Sequence, residues 1–402
     1  MKVVIIGAGA AGFFAALSVR QHHPEAEIKI LERSDKVLSK VKVSGGGRCN
    51  VTNSCREVSQ LIKHYPRGGK ALKKAFQIFG TGHTVAWFEQ HGITLKTEAD
   101  GRMFPISNSS QSIIDCLLDT MQAGRIDLQM QKRIDSISVQ KDGFLLRSEN
   151  DDCIADKLII ATGGSPKDEG FEWLRALGHT IEKPVPSLFT FNSDKNEITT
   201  LMGVSVPDAQ VRIVGTELLE TGPILITHWG FSGPAVLKLS SHGARLLEKM
   251  SYSFTVAINW CGDKKEHVLR ELFEREIDEN RLKKAVNSKV ISLPARLWEF
   301  QLKRAGIDLS LRWADIKKEN YNRLINGLTN DQYHIQGKTT FKEEFVTCGG
   351  VSLQDVDMLT MESKQVPGLY FAGEVLDIDG VTGGFNFQAA WTTGYLAGRL
   401  AE

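Results

Sequence analysis

Three glycines near the start of this 402-residue chain have the spacing that binds a dinucleotide. They form the pattern G-x-G-x-x-G, which follows a predicted buried strand at 2–6 and opens a predicted helix at 13–22. The first glycine permits a tight turn, the second lets the backbone approach a pyrophosphate, and the third lets helix and strand pack closely. The free amides at the helix start also favour an anion. We predict cofactor contacts from the residues of this turn, Gly7, Gly9, Ala10, Ala11 and Gly12.

A carboxylate follows the next predicted strand, at 28–31. Glu32 stands twenty positions after Gly12, where an acidic residue accepts hydrogen bonds from the adenosine ribose hydroxyls and disfavours the 2′-phosphate of NADP. Arg33 and Lys40, which come soon after it, are further candidates for cofactor binding.

A glycine-rich segment at 41–53 is predicted to be a loop. Its sequence S-G-G-G-R-C-N at 44–50 resembles a nest of backbone amides with an added cation, expected near the pyrophosphate or the ribityl chain; a flexible loop tip is the alternative. Cys49 is either a redox thiol facing a flavin or a small buried residue, and the second reading is favoured. The predicted cofactor contacts here are Ser44, Gly45, Gly46, Arg48 and Asn50.

Two further glycine turns lie far along the chain and favour FAD over NAD. A strand at 158–161 leads into Ala161-Thr162-Gly163-Gly164, and a strand at 369–372 leads into Gly373-Glu374. A flavin extends beyond the pyrophosphate, so that its ribityl hydroxyls need partners such as Glu374 and Asp377. The last helix, opened by Gly383-Gly384-Phe385-Asn386, is predicted to aim amides at the flavin pyrimidine edge. A capped helix packed on a strand is the alternative.

Composition indicates a discontinuous first domain. The chain is strand-forming with glycine turns at 1–188 and 337–402, whereas 189–260 is mainly β and 261–336 mainly helical. Apolar residues make up 42% and charged residues 24% of the chain, which is ordinary for a globular protein. We therefore expect an α/β, Rossmann-like two-part domain that carries an inserted domain at 189–336.

The sequence resembles the BaiN-like flavoproteins, also called the aminoacetone oxidase family of FAD-binding enzymes. The stretches that carry the resemblance are G-A-G-A-A-G at 7–12, K-V-S-G-G-G-R-C-N-V-T-N at 42–53, T-H-W-G-F-S-G-P-A-V-L at 227–237 and G-L-Y-F-A-G-E-V-L-D-I-D-G-V-T-G-G-F-N-F-Q-A-A-W at 368–391, with support from V-T-C-G-G-V at 346–351. The resemblance implies an FAD domain with an inserted β-barrel-like and helical region.

Catalytic residues are less clearly marked than cofactor contacts. His228 can transfer a proton and Trp229 can form a wall of a substrate site, although packing at the junction of the inserted domain is the favoured reading of both. No histidine spacing of the H-E-x-x-H type indicates a metal. The cluster of cations at 63–74 is read as a solvated helix face rather than as a tRNA contact.

Charge and cysteine usage limit the partners and the compartment. Lysine plus arginine (49) against aspartate plus glutamate (48) gives +1, so bulk charge does not favour nucleic acid. The six cysteines include no C-x-x-C pair, which favours a reducing, cytoplasmic location, and the short apolar run near the start predicts no membrane span. The sequence leaves the oligomeric state open.

These observations predict an oxidoreductase that holds FAD without a covalent bond and exchanges a hydride with a small amine or a conjugated ring compound. NAD(P)H is expected only as a transient visitor, since a second fingerprint is absent. A tRNA-modifying flavoprotein and a non-catalytic flavin sensor are the alternatives.

Overall fold

The computed structural model describes residues 1–149, 151–193, 196–288, 290–339 and 346–401. The chain forms two compact units, one made of residues 1–187 and 341–402 and the other of residues 188–340. The sequence predicted the changes at 188/189 and 336/337. The chain returns to the first unit a few residues later than predicted, because residues 338–339 still pair within the sheet of the second unit.

The strands of the described residues are short and distributed along the whole chain. They are β1 (Lys2–Ile6), β2 (Glu27–Leu31), β3 (Thr52–Asn53), β4 (Leu95–Thr97), β5 (Arg102–Pro105), β6 (Asp127–Gln129), β7 (Ser136–Gln140), β8 (Gly143–Arg147), β9 (Asp152–Ala155), β10 (Lys157–Ile160), β11 (Ile181–Ser187), β12 (Thr190–Asn192), β13 (Ser205–Ile213), β14 (Leu219–Thr227), β15 (Gly230–Ser232), β16 (Ser253–Asn259), β17 (Asp331–Gln336), β18 (Lys338–Thr339), β19 (Val346–Val351) and β20 (Leu369–Phe371).

The α-helices of the described residues connect these strands. They are α1 (Ala10–His22), α2 (Ser39–Gly47), α3 (Val58–Leu61), α4 (Gly69–Ile78), α5 (Thr81–Gln90), α6 (Ser110–Ala123), α7 (Glu172–Ala176), α8 (Pro234–His242), α9 (Ala244–Lys249), α10 (Glu266–Glu279), α11 (Ala295–Arg304), α12 (Lys318–Thr329) and α13 (Phe385–Gly398). None of them is both long and apolar enough to cross a lipid bilayer.

A parallel sheet of order β20-β10-β1-β2-β6 forms the centre of the first unit. Its middle strands are buried on both faces, which explains their near-continuous apolar sequences, such as Val3–Ile5 and Leu158–Ile160. Because the strands are parallel, the carboxyl ends of β1, β2, β10 and β20 all reach the same edge of the sheet. The Rossmann-like α/β prediction is therefore confirmed.

Helices α1 and α13 pack against each other through small residues. A Cβ at Gly394 would lie 2.6 Å from the Ala11 carbonyl oxygen, and one at Gly398 would lie 2.4 Å from the Ala15 carbonyl oxygen. Only glycine fits at such distances, so the end of α13 lies directly on the helix that follows the G-x-G-x-x-G turn.

The second unit contains an antiparallel sheet of order β17-β16-β13-β14-β15-β12-β18. Its two end strands are consecutive in the chain and separated by one residue, Gly337, at φ +89°. The sheet therefore curls until its ends meet, as in a barrel. Helices α10, α11 and α12 form a second core around Phe273, Trp298 and Trp313.

Two details differ from the predicted composition of this region: α8 and α9 fall within 189–260, and β17 falls within 261–336.

Candidate cofactor site

The fingerprint turn contains two kinds of glycine. The protein's own packing requires Gly7 and Gly12, whereas Gly9 leaves space for a ligand. A Cβ at Gly7, where φ is +109°, would lie 2.4 Å from the Ala161 carbonyl oxygen, and one at Gly12 would lie 1.9 Å from the Gly7 oxygen. At Gly9, by contrast, a Cβ would meet nothing within 4 Å, and φ is −91°. Packing does not explain this glycine, whereas the approach of a pyrophosphate does.

Glu32 follows the carboxyl end of β2, and its carboxylate hydrogen-bonds the backbone of the fingerprint turn. Its Oε2 accepts a hydrogen bond from the Ala8 amide at 2.9 Å and its Oε1 accepts one from the Ser34 amide at 2.9 Å. Each oxygen retains a further lone pair, so that the carboxylate is fixed in place and still able to accept hydroxyl donors. The neighbouring Arg33 is exposed.

The glycine-rich segment is not the simple loop that we predicted. Helix α2 extends through it to Gly47, with an interruption where Ser44 is extended and Gly45 and Gly46 are left-handed. The left-handed turn makes room for the Phe104 ring, which lies 2.8 Å from the position of a Gly45 Cβ. A Cβ at Gly46 or Gly47 would meet nothing within 4 Å, so this part of the segment borders open space.

The Arg48 guanidinium is already engaged by protein groups. Its Nη1 donates to Glu98 Oε1 at 2.7 Å, and its guanidinium lies 4.0 Å from the centre of the Phe104 ring. Asn50, with its amide oxygen turned toward Gly384, accepts from the Gly384 amide at 2.9 Å and donates to the Thr52 carbonyl at 3.1 Å. Both side chains thus brace the segment rather than offering free polar groups.

Cys49 is fully buried at φ +59°. Burial raises the pKa of its thiol to about 12, against a lowering contribution from a hydrogen bond with Ser44. A thiolate is the reactive form of cysteine. Burial and the raised pKa of the thiol both favour the small buried residue over a redox thiol, as the sequence did.

Lys40 and Glu374 meet at the edge formed by the carboxyl ends of the strands. Lys40 Nζ lies 2.5 Å from Glu374 Oε2, and Glu374 Oε1 accepts from the Thr347 amide at 2.8 Å. A Cβ at Gly164 would lie 2.7 Å from Glu374 Oε1 and 2.4 Å from Thr347 Oγ1, so only glycine fits there. Four parts of the chain converge at this point.

Thr347 is a residue that sequence reasoning missed. Its side chain is fully buried, and its hydroxyl has no hydrogen-bond partner among the described residues. Buried hydroxyls in native proteins nearly always have a partner, so Thr347 is an exception at the edge where the cofactor residues meet. The available signal was the V-T-C-G-G-V stretch, which served only to support the family resemblance.

The protein's own packing requires the C-terminal glycines Gly383 and Gly384. A Cβ at Gly384, where φ is +91°, would lie 2.4 Å from the Thr52 carbonyl oxygen, and one at Gly383 would lie 2.8 Å from the Phe385 ring. The Asn386 side chain bonds both the amide and the carbonyl of Gly380 at 2.8 Å. The helix start at Phe385 is thus locked by its own loop.

The same loop is held by buried polar contacts. Asp379 is fully buried and forms a two-point ion pair with Arg67, and Ser187 Oγ donates to it at 2.8 Å. Burial raises the pKa of the Asp379 carboxyl, whereas Arg67 and Ser187 lower it. Asp377 is half-buried, and its amide donates to Val351. Gly373, at φ +79°, approaches Ala11 so closely that a Cβ would lie 2.7 Å from the alanine methyl.

The structure thus brings several predicted cofactor residues to one edge of the parallel sheet in the first unit. Gly7, Gly9, Glu32, Ala161 and Gly373 follow strands of one parallel sheet, and doubly wound sheets bind ligands outside such strand ends. Gly163 lies there too, with φ +73° and open space where a Cβ would be. The open positions at Gly9 and Gly163, and the Glu32 carboxylate beside the fingerprint turn, fit an extended dinucleotide such as FAD.

His228 and Trp229 lie in the second unit, in the turn between β14 and β15. His228 is exposed and its ring centre is 4.2 Å from that of Trp229, whose Nε1 donates to Thr190 Oγ1 at 3.1 Å. The next position, 230, requires glycine, because a Cβ there would lie 2.2 Å from the Phe191 carbonyl oxygen. Trp229 is therefore fixed by packing, while the imidazole of His228 is accessible.

Comparison with known proteins identifies the family of this chain. The profile of the HI0933-like protein Rossmann domain matches residues 1–400. The chain belongs to this family of FAD-binding, flavoprotein-type oxidoreductases, and the resemblance found in the sequence is confirmed. It is itself a flavin-dependent oxidoreductase by family membership and fold.

Two relatives match over nearly their whole length. A 3-dehydro-bile acid delta(4,6)-reductase of Clostridium scindens is 28% identical over 100% of this chain and 98% of its own. A ribosomal RNA dihydrouridine synthase of Escherichia coli is 31% identical over 98% of this chain and 96% of its own. Among solved structures, 3-ketosteroid-delta4-(5alpha)-dehydrogenase of Rhodococcus jostii aligns with a TM-score of 0.52 at 13% identity, over 99% of this chain and 96% of that one, which shows the fold.

Proposed function

We propose that this protein is an FAD-dependent reductase of carbon–carbon double bonds conjugated to a carbonyl group. The observation that carries the proposal is the chemistry common to the two full-length relatives. The double bonds of a 3-dehydro-bile acid at positions 4 and 6 are conjugated with a ketone, and the double bond of uracil adjoins a carbonyl. Reduction of an enone of this kind delivers a hydride to its β-carbon and a proton to its α-carbon, and in a conjugated dienone the same polarity extends to the δ- and γ-carbons.

FAD, when bound, would supply the hydride chemistry at its N5 atom. The residues of this chain would hold it without a covalent link. Gly9 leaves room for the pyrophosphate, Glu32 accepts from the adenosine ribose, and Glu374 faces the ribityl chain. What supports this assignment is the open space at Gly9 and the remaining lone pairs of the Glu32 carboxylate.

NAD(P)H is the proposed source of electrons, visiting the flavin transiently as the single fingerprint suggests. The exposed imidazole of His228 is the proposed proton donor to the α-carbon, with Trp229 as its fixed neighbour. We also propose a cytoplasmic location, supported by six cysteines that are all free thiols.

The size of the substrate distinguishes two candidates. A small conjugated ring compound is one of the two substrate types that the sequence predicted, the other being a small amine. A uridine within RNA is the second candidate, and the specific observation in its favour is that Lys70, Lys73 and Lys74 of α4 are all exposed. A tRNA-modifying role is not favoured, because the RNA relative is named for ribosomal RNA.

Anaerobic reduction followed by substrate addition tests the proposal. NADH or NADPH is expected to bleach the flavin band of the holoprotein, and cyclohexenone or a 3-keto-4-ene steroid is expected to restore it with formation of the saturated ketone. A protein whose reduced flavin is reoxidised by oxygen but by no conjugated carbonyl compound, uridine included, would contradict the assignment. Glu32→Gln provides a test of the cofactor site, since it is expected to lower FAD affinity while keeping the size of the side chain.

A further inference from the structure

A short segment before α4, residues 64–67, runs antiparallel to the loop that joins β20 to α13. Arg67 and Asp379 form an antiparallel backbone bridge. The His64 carbonyl accepts a hydrogen bond from the Val381 amide at 2.9 Å. None of the cofactor contacts predicted from the sequence lies in this segment, so its role has to be inferred from what it holds in place.

The segment also fixes the start of α13. Phe385 is the first residue of that helix and is buried. The Tyr65 hydroxyl donates to the Phe385 carbonyl at 2.7 Å. The His64 ring stacks on the Phe385 ring with 4.1 Å between ring centres and 10° between planes. The helix whose first amides we predict to face the flavin is therefore oriented by residues far from it in the chain.

Both ends of the loop belong to the proposed cofactor site. It leaves the sheet at Glu374, the residue proposed to face the ribityl chain. At its other end, Asn53 Nδ2 donates to the Gly383 carbonyl at 3.0 Å, and Asn50 accepts from the Gly384 amide at 2.9 Å. Asn50 belongs to the glycine-rich segment that borders open space. A charge within the loop would therefore act on a flavin bound at this site.

Such a charge is present as a buried ion pair. Asp379 is fully buried, and 11% of the Arg67 side chain is exposed. The guanidinium donates through Nε and Nη2 to both carboxylate oxygens, and Ser187 Oγ donates to Asp379 Oδ2 at 2.8 Å. Solvent screens buried charges much less than exposed ones. Each of the two charges therefore has a long reach, and the two oppose each other.

We propose that Arg67 and Asp379 together set the reduction potential of the bound flavin. This inference rests on the proposed function, since it takes the flavin to lie along the loop. Asp379 ties the loop to β11 through Ser187, and Arg67 cancels the negative field that this carboxylate would create. A reduced flavin is anionic, so that a nearby cation stabilises it and a nearby carboxylate destabilises it. The two are positioning residues, because they act on the cofactor through the loop and its field.

The test compares the wild-type holoprotein with Asp379→Asn, Arg67→Gln and the double variant. Anaerobic dye-coupled titration measures the midpoint potential, and denaturant unfolding of the apoprotein reports separately on stability. Arg304→Gln and Asp331→Asn are the matched controls. They break another arginine–aspartate pair, in the second unit, whose Arg304 Nη1 lies 2.6 Å from the buried Asp331 Oδ1.

We expect Asp379→Asn to raise the potential and Arg67→Gln to lower it. Each should change the ratio of the dissociation constants for oxidised and reduced FAD by about tenfold, which is about 30 mV for a two-electron couple. The double variant should return close to the wild-type potential, because both charges are gone. Arg67→Lys keeps the charge, so that it should keep the potential even where its FAD affinity falls.

Loss of packing alone would shift the two single variants in the same direction, and the double variant would not recover. That result would overturn the inference, as would unchanged potentials in both single variants or equal shifts in the two controls. The measurement involves no substrate. A wild-type flavin that is reoxidised by no conjugated carbonyl compound would therefore count against the proposed function alone.

Discussion

Lys40 and Glu374 are joined by an ion pair of 2.5 Å although 334 positions separate them in the chain. Lys40 belongs to α2, and Glu374 follows β20. The pair connects the first and last parts of the first unit at the edge where the cofactor residues meet. Glu374 is partly buried, with 18% of its side chain exposed, whereas Lys40 is 48% exposed.

Glu374→Gln should lower FAD affinity by about ten- to hundredfold, because a hydrogen bond to a charged group contributes about 1.5–3 kcal/mol. Fluorescence titration of the apoprotein with FAD measures the change. Asp127→Asn, which removes the carboxylate paired with Lys29 on the parallel sheet, is the control and should leave FAD affinity unaltered. Equal affinities for both variants would remove Glu374 from the cofactor site.

Gly9→Ala should lower FAD affinity without destabilising the apoprotein, whereas Gly384→Ala should destabilise the apoprotein itself. The methyl group at position 9 meets nothing in the protein, so the free energy of unfolding of the apoprotein should change by less than about 0.5 kcal/mol while FAD affinity falls. At position 384 the positive φ and the Thr52 carbonyl should destabilise the apoprotein by about 1–3 kcal/mol or more. Denaturant unfolding and FAD titration separate the two. A Gly9→Ala protein that binds FAD normally would show that the open space serves another purpose.

Cys49 should resist alkylation in the folded protein at mildly alkaline pH, because the pKa of its thiol is about 12 instead of 9.0. Half-buried Cys55 and Cys153 serve as internal references and should react first. For an acid whose pKa is higher in the folded state, the contribution to stability is present below pH 9.0 and is lost as the pH rises toward about 12. Peptide mapping after iodoacetamide treatment gives the answer, and rapid labelling of Cys49 would disprove its burial.

The second unit should be removable. Strands β11 and β19 pair antiparallel with Ser187 opposite Val346, so an Asn-Gly turn in place of residues 188–345 should close a two-residue hairpin. We expect the shortened protein to fold and bind FAD, with turnover reduced because His228 and Trp229 are absent. Circular dichroism and the flavin spectrum of the purified protein test this. A folded but colourless product would mean that the second unit contributes to cofactor binding.

The local parts of the site could be predicted from the sequence, and the long-range partners could not. The fingerprint and Glu32 lie within one βαβ unit, so their spacing alone fixes their relation. Nothing in the sequence pairs Lys40 with Glu374 or Arg48 with Glu98, because such partners depend on how distant elements pack.

The glycines also show what a sequence pattern leaves out. The pattern marked both Gly9 and Gly384 as candidate cofactor contacts, but only packing shows which atom lies where a Cβ would be. At Gly384 it is the Thr52 carbonyl, and at Gly9 no protein atom is present. Thr347 was missed because its significance comes from a hydroxyl without a partner, which no residue pattern reports.

The contact between α1 and α13 has a consequence for the order of events during synthesis. Strand β10 is paired with β20 on one side, and α1 is covered by Gly394 and Gly398 of α13. Until residues 369–398 have left the ribosome, the nascent sheet has an open edge at β10 and the first helix exposes an apolar face. Loading of the nucleotide must then be a late step, and premature termination anywhere before residue 398 would leave an aggregation-prone chain rather than a partly active enzyme.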